Sequence, residues 1–361
     1  MAEKVLMKGN EALAEAAIQA GCHHFFGYPI TPQTELAAYM AKRMPKIGGT
    51  YLQAESEIAA VNMVLGAAAA GVRAMTSSSS PGISLKGEGI SYMAGSDLPA
   101  LIINVQRGGP GLGGIQPSQS DYWQATKALG HGDFQILVFA PSTVQEMVDL
   151  VSDAFDKADE YRMPAMILAD GMLGQMMEPV EMPAYKAPAE KLPEHKDRKL
   201  PEKPWAACGH ENKREHNIIN SLYLTPNALE DLVRARYERY KIVEEKEQRA
   251  EEYRTEDADV IVVAYGASSR VARSAVNKAR EAGKKVGLIR PITLWPFPKD
   301  AIKRAADHAK ELLVVEMSMG QMVDDVRLAA ECRVPVHFYG RTGGVIPTPK
   351  EILGEIDKLL K

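Results

Sequence analysis

Short apolar runs alternate with alanine-rich amphipathic stretches over residues 1 to about 182, the rhythm of a parallel β-sheet covered by helices on both faces. The runs predict strands at 24–28, 72–76, 100–105, 136–139 and 165–168, and the periodic stretches at 57–70 and 144–161 predict helices between them. From 183 to about 204 the texture turns to Pro, Lys and Glu with almost no large apolar residue, so a linker or surface arm is expected. Thr225-Pro226 then reads as an N-cap with proline at the first helical position. Leu229, Leu232, Val233, Arg236 and Tyr240 follow at i, i+3/i+4 spacing before the chain becomes wholly charged, which predicts one long exposed helix over 226–253. The α/β rhythm resumes at Asp259 with an apolar run at 260–264, a helix over 268–282 and further runs at 285–289, 312–316 and 334–339. No short-period repeat is present, which excludes solenoids and propellers.

Length sharpens this picture: 361 residues suit two or three domains at roughly 150 residues each. Charge narrows the function, because 43 Lys+Arg against 47 Asp+Glu leave no positive field to hold a polyanion, and nucleic acid is excluded as a partner. No apolar run reaches the roughly 18 residues of a membrane span, and no basic stretch leads into a secretory core, so a cytoplasmic location is expected. Cys22, Cys208 and Cys332 are too far apart in sequence for a disulfide framework or for the clustered thiolates of zinc and iron–sulfur sites. Any redox chemistry would then need its electrons carried by another chain.

Four segments carry candidate chemistry. In Phe25-Phe-Gly-Tyr-Pro-Ile-Thr31-Pro32 a strand turns into a helix at the sheet edge where α/β proteins bind ligands. Thr31 either caps that helix, with Pro32 at its first position, or donates its hydroxyl to a substrate oxygen. Gln53-Ala-Glu55-Ser-Glu57 opens a strongly helical stretch, where a glutamate either complements the helix dipole or, half buried between chains, hydrogen-bonds a heterocyclic nitrogen. The strand ending at Arg107 runs into Gly108-Gly-Pro-Gly-Leu-Gly-Gly114. Gly109, Gly111 and Gly114 formally match GxGxxG, but Pro110 and Pro117 break the helix that a dinucleotide site requires. Arg107 therefore reads as a bidentate carboxylate clamp or as a surface arginine in a flexible loop. Thr76-Ser-Ser-Ser-Ser-Pro-Gly82 is another strand-to-helix turn, with Ser80 as expected cap and no nucleophile elbow around the serines. The eight histidines form no metal-ligand pattern, and no metal site is expected on this chain.

Taken together, Gly27-Tyr-Pro-Ile-Thr-Pro32, Gln53-Ala-Glu-Ser-Glu57, Thr76 to Gly82, Asn104-Val-Gln-Arg-Gly-Gly-Pro110 and Pro291-Ile-Thr-Leu-Trp-Pro296 resemble the α-subunit of 2-oxoacid:ferredoxin oxidoreductases, over nearly the whole chain. The loop from Gly108 to Gln119 and the opening Leu6-Met-Lys-Gly-Asn-Glu11 look most like the branched-chain, 2-oxoisovalerate type. The resemblance implies an α/β chain whose residues 1–182 are a thiamine diphosphate pyrimidine-binding domain. Residues 183–257 would then be an extended arm with a long charged helix, and residues 258–361 a transketolase C-terminal-like α/β domain.

The family's activating glutamate falls on Glu57, nine residues before Gly66, in preference to Glu55. The resemblance further implies that Arg107 binds the substrate carboxylate, that Thr31 hydrogen-bonds the substrate, and that Gly108 lines the substrate site. Tyr28 and Pro29 would lie against the cofactor. It implies decarboxylation of a 2-oxoacid to an acyl group that coenzyme A accepts, with electrons leaving through [4Fe-4S] clusters on partner subunits to ferredoxin. The diphosphate and Mg²⁺ require a Gly-Asp-Gly motif with a downstream Asn, set by hard oxygen ligation. Ala169-Asp170-Gly171, the nearest match here, has no such Asn. The chain would thus bind the pyrimidine half, with a β-subunit completing the site and γ- and ferredoxin-like subunits completing the complex. The arm and charged helix are expected to wrap a neighbouring subunit. A 2-oxoglutarate-specific α-subunit is the alternative; an NAD(P)-binding oxidoreductase or a non-catalytic scaffold subunit accounts for fewer of the five motifs.

Overall fold

The computed structural model describes residues 4–127, 129–185 and 202–361. The chain begins with β1 (Val5–Lys8), α1 (Gly9–Gln19), β2 (His24–Gly27), α2 (Thr34–Arg43), β3 (Thr50–Gln53), α3 (Glu57–Ala69), β4 (Ala74–Ser78), α4 (Ser80–Gly95) and β5 (Leu101–Gln106). It continues with α5 (Tyr122–Thr126), β6 (Leu137–Phe139), α6 (Val144–Tyr161), β7 (Ala165–Asp170), α7 (Gly171–Gln175) and β8 (Met177–Val180). After the expected arm, most of which lies outside the described residues, come α8 (Pro226–Lys246), β9 (Ala250–Tyr253), β10 (Val260–Val263), α9 (Gly266–Glu281), β11 (Val286–Pro291) and β12 (Thr293–Trp295). The last elements are α10 (Lys299–Ala306), β13 (Glu311–Glu316), α11 (Met322–Ala330), β14 (Val336–Gly340) and α12 (Pro349–Leu359).

Two main sheets organise these elements. The first has seven strands in the order β12-β6-β7-β5-β4-β2-β3, all parallel except β12. Its central strands β5 and β7 are buried at every position, as their unbroken apolar runs require of a sheet covered on both faces. Helix pairs α1/α6 and α3/α4 pack against it. The second sheet has five strands, β14-β13-β10-β11-β9, with only β9 antiparallel. Strands β1 and β8 form a small antiparallel pair. Among the described residues no helix is long and apolar enough to cross a membrane.

The strand order fixes where ligands can sit. In the first sheet the chain passes from β2 outward to β3 and then returns to β4 on the other side of β2, so β2 and β4 flank a topological switch point. The second sheet reverses in the same way between β10 and β13, but its crevice is filled. Gln119, on the loop after β5, donates through Nε2 to the Tyr265 carbonyl (2.8 Å) and accepts at Oε1 from the Met317 amide (2.9 Å). Its own amide donates to the Met317 carbonyl at 2.9 Å, and Tyr265 and Met317 lie within two residues past the ends of β10 and β13. The ligand edge of the second sheet is thus a docking edge for the first. Gln119→Ala strips the Met317 amide of its partner in a buried interface and is expected to cost about 2 kcal/mol in urea unfolding; an unchanged midpoint would mean that water takes the place of the side chain.

Two expectations need correction. The long helix ends at Lys246, and residues 250–253 form β9 on the edge of β11. The charges there are paired across the edge, Glu251 accepting from Arg290 (2.9 Å) and Arg273 (2.5 Å), so the run is half-covered strand. Nor is α8 exposed throughout: Arg236, Tyr240 and Val243 are buried, with Arg236 on Asp97 at 3.1 Å and Tyr240 edge-on to Trp295. The second is that helix's exposure, and beyond these two, β12, a strand the sequence did not suggest, pairs with β6 of the first sheet.

Candidate active site

Every candidate segment emerges at the carboxyl edge of the first sheet. Thr31 follows β2, Glu57 follows β3, Ser80 follows β4 and Arg107 follows β5, around the switch point. Thr31 is not a helix cap: α2 begins at Thr34, and Gln33 occupies the cap position. Gln33 is fully buried, accepting from the Ser77 hydroxyl at 2.6 Å and donating to the Tyr28 carbonyl at 3.3 Å. These bonds hold the Tyr28-Pro29-Ile30-Thr31 turn open, with Pro29 and Thr31 exposed and Tyr28 half-buried.

Glu55 and Glu57 part company. Glu55 is exposed, whereas Glu57 is the first residue of α3, buried behind the Ser56 cap, which accepts from the Ala59 amide. Among the described residues the Glu57 carboxylate makes no hydrogen bond or ion pair. It borders Gly82 in the first turn of α4, where an added Cβ would meet Glu57 Oε1 at 2.7 Å and Ser78 Oγ at 2.1 Å. The helix starts at Ser80, with Ser79 rather than Ser80 as the cap residue. Ser80 instead ties the site together, donating to Asp121 Oδ2 (2.5 Å) and accepting from the Arg107 amide (3.1 Å). Burial pushes the Asp121 carboxyl up, opposed by hydrogen bonds from Ser80 and Asn104.

Arg107 is buried, with 7% of its surface exposed, which removes the flexible-surface alternative. Its terminal nitrogens donate to the carbonyls of Thr31 and Leu112, each at 3.0 Å, and Nε has no partner among the described residues. No carboxylate pairs with it among the described residues. A buried cation on neutral partners alone favours an incoming anion. Gly108 is also buried, and its loop folds back on itself: the Gly108 amide donates to Gln116 and the Gly114 amide to Gly108, at 3.0 and 2.9 Å. Residues 111–116 are exposed.

Lys86 was not singled out in the sequence. It is fully buried on α4 and donates to the backbone carbonyl of Glu57 at 3.4 Å. A signal existed, since Lys86 sits at core spacing between Gly82, Ile83, Ile90 and Met93, all buried. Asp170, by contrast, is taken up structurally: Oδ1 accepts from the Met172 and Leu173 amides at the start of α7, and burial pushes its carboxyl up to about 6. His131 lies exposed in its loop.

β4, β5 and the turn into α4 also carry buried oxygens without partners among the described residues, Thr76 Oγ1, Ser78 Oγ, Ser79 Oγ and Asn104 Oδ1. With the free Glu57 carboxylate and the Gly82 cradle, this set of donors and acceptors suits a flat polar heterocycle beside an anion.

The chain is similar to known proteins along nearly its whole length. Residues 15–256 match the thiamine diphosphate-binding domain family of pyruvate flavodoxin/ferredoxin oxidoreductases, and residues 258–352 match core domain II of pyruvate:ferredoxin oxidoreductase. The chain is 49% identical over 354 residues to the ketoisovalerate oxidoreductase subunit VorB of Methanothermobacter marburgensis, covering 98% of this chain and 97% of that one. It is 38% identical to the 2-oxoglutarate synthase subunit KorA of Methanothermobacter thermautotrophicus, covering 99% and 100%. A solved 2-oxoglutarate:ferredoxin oxidoreductase from Magnetococcus marinus superposes with a TM-score of 0.86 at 29% identity, covering all of this chain and 66% of that chain. The α/β class expected from the sequence is the one found, and with family matches running from residue 15 to residue 352 the chain belongs to the 2-oxoacid:ferredoxin oxidoreductases.

Proposed function

We propose that this chain is the α-subunit of a 2-oxoisovalerate:ferredoxin oxidoreductase, which converts a branched-chain 2-oxoacid and coenzyme A to acyl-CoA and CO2 and passes electrons to ferredoxin. The observation that carries the substrate class is Arg107, a buried guanidinium without a carboxylate partner at the ligand edge. The adjoining loop carries the side-chain preference. Gly108 to Gln116 contains no charged residue and presents Leu112 and Ile115, so it offers apolar contact and no cation for a second carboxylate. The similarity to a ketoisovalerate oxidoreductase subunit supports the same choice.

Residues 1–182 act in this reading as the pyrimidine-binding domain, 183–257 as arm and charged helix, and 258–361 as the transketolase C-terminal-like domain. Thiamine diphosphate supplies, when bound, a carbon nucleophile and an electron sink at the keto carbon. Glu57 holds a proton at a ring nitrogen of the pyrimidine, between the Gly82 cradle and the unpartnered serine hydroxyls, with Tyr28 and Pro29 bordering the ring. Arg107 and the loop at Gly108 bind the substrate carboxylate, and the exposed Thr31 hydroxyl donates to the substrate. The diphosphate, Mg²⁺ and [4Fe-4S] clusters belong to β-, γ- and ferredoxin-like partner subunits. The arm before α8 exposes Ile218, Leu222 and Leu224, which suit a neighbouring subunit.

The test is coenzyme A-dependent viologen reduction by the anaerobically purified complex with 2-oxoisovalerate, 2-oxoglutarate and pyruvate. The highest kcat/KM is expected on 2-oxoisovalerate. Preference for 2-oxoglutarate, the activity named for the Magnetococcus enzyme, would keep the family chemistry and reject the side-chain assignment.

A further inference from the structure

The loop from Gly108 to Gln116, which offers apolar contact to the substrate side chain, is held by more than its own strand. Residues 341–345 follow β14 at the carboxyl edge of the second sheet, where the Arg341 amide donates to the Glu316 carbonyl at 3.1 Å. The turn that follows carries two glycines in the left-handed region, Gly343 at φ +67° and Gly344 at φ +92°. Gly344 lies directly against the loop: an added Cβ would meet Gln116 Cβ at 2.3 Å and Gln116 Cγ at 3.1 Å. Gly108 abuts the same turn, its own added Cβ falling 3.5 Å from the Gly343 carbonyl carbon and from the Gly344 nitrogen. An added Cβ on Gly343 meets nothing within 4 Å, so a side chain would strain the backbone at either glycine but would strike the loop only from the second.

On its other side the loop rests on the first domain. An added Cβ on Gly171 would lie 3.5 Å from the Ile115 carbonyl oxygen and 3.2 Å from Pro32 Cγ, one residue after Thr31. The loop thus runs between a glycine of each domain, beside the turn that carries Thr31. Arg107 is tied into the same unit through the Leu112 carbonyl. Downstream the second domain fixes the chain again, with Gln321 donating to the Ser120 carbonyl and accepting from the Trp123 amide, each at 2.8 Å. Residues 108–116 form no helix or strand, so what they lie against sets their course.

We infer that Gly344 is a specificity-determining residue: having no side chain, it lets the second domain hold the Gly108–Gln116 loop at the distance from the Thr31 turn that a branched substrate side chain needs. The inference rests on the reading of Arg107 and its loop given above. A methyl group at Gly344 cannot share space with Gln116, so the loop must shift toward Gly171 and Pro32 and crowd the substrate side chain. The carboxylate contact at Arg107 is common to all 2-oxoacids and cancels when two of them are compared, which leaves the side-chain fit.

The assembled complex, unsubstituted and with Gly344→Ala, Gly343→Ala, Gln116→Gly or Gly344→Ala/Gln116→Gly, is to be assayed for coenzyme A-dependent viologen reduction with 2-oxoisovalerate and with pyruvate, whose methyl group needs little room. Gly344→Ala is expected to lower the ratio of the two kcat/KM values about tenfold, the scale of one misfitted methyl group in an apolar pocket, mainly through KM for 2-oxoisovalerate. Gly343→Ala, with the same left-handed backbone and no contact, keeps the ratio within about twofold. Gln116→Gly removes the atoms that Gly344 faces and lowers the ratio about threefold by leaving the loop without support. The double variant restores the ratio, because the alanine methyl fills the space that Gln116 vacates, and this pair carries the test if Gly344→Ala alone does not assemble. A ratio unchanged in Gly344→Ala, or lowered equally in Gly343→Ala, overturns the inference, as does a double variant no better than Gln116→Gly. A lowered melting point with an unchanged ratio makes Gly344 a turn residue and nothing more. An unsubstituted complex without preference for 2-oxoisovalerate would overturn the reading of the loop itself, whereas a clear preference that survives Gly344→Ala rejects the role of Gly344 alone.

Discussion

Arg107→Ala is expected to lower kcat/KM for the 2-oxoacid by about 10²- to 10³-fold, because truncating one side of a buried, charge-assisted bidentate contact costs roughly 3–4 kcal/mol. Most of the loss should fall on KM, since the carboxylate is held in the ground state as well as during reaction. Folding should change little. The guanidinium contributes two hydrogen bonds to the carbonyls of Thr31 and Leu112, both on exposed residues that water can reach, and it is relieved of an uncompensated buried charge when removed. Arg107→Lys keeps the charge but cannot span two carbonyls and a carboxylate at once, so it should recover only part of the activity. Steady-state kinetics on the assembled complex with a thermal melt alongside separate the two roles. Unchanged kcat/KM with a lowered melting point would make Arg107 a loop brace and nothing more.

How far the sequence reached depended on whether the signal was local. Helix α6 falls on the expected residues because Thr143 caps it, accepting from the Glu146 amide, and Arg162 ends it in the left-handed region. Strands β2, β5, β7 and β10 lie within about two residues of their apolar runs, since buried parallel strands need no partner to be recognised. Strand β12 was hidden because its pairing with β6 links residues far apart in sequence, and β9 because its alternating charges mimic an exposed helix until Arg273 and Arg290 are seen across from Glu251. The site divides in the same way. Motifs located Thr31, Glu57 and Arg107 at one sheet edge; the spacing to Gly66 prefers Glu57 to Glu55, and burial adds the physical difference between them. Gln119 closes the Gly108-to-Gln119 loop in sequence, but its role was not legible there, because it fills a crevice that another sheet creates.

Glu57→Gln is the other large effect expected, a fall in kcat of about 10²- to 10⁴-fold. Glutamine preserves volume and can still donate and accept hydrogen bonds, so the helix start and the Gly82 contact are retained, but it cannot hold and release a proton at a ring nitrogen. The substitution should leave KM for the 2-oxoacid nearly unchanged, because substrate is gripped through Arg107 at the end of β5, with β4 and β2 lying between it and β3. Stability should fall slightly, since Lys86 loses the one charge that offsets its burial. That loss gives the variant an internal check. Adding Lys86→Met to Glu57→Gln should restore stability without restoring turnover, and the two substitutions should be non-additive, as residues sharing one interaction are. Glu55→Gln, exposed two residues earlier, should stay within about twofold of the starting rate, as surface changes away from a site do. A Glu57→Gln enzyme that turns over normally while Glu55→Gln fails would move the activating carboxylate to Glu55 and require α3 to begin differently in the assembled complex.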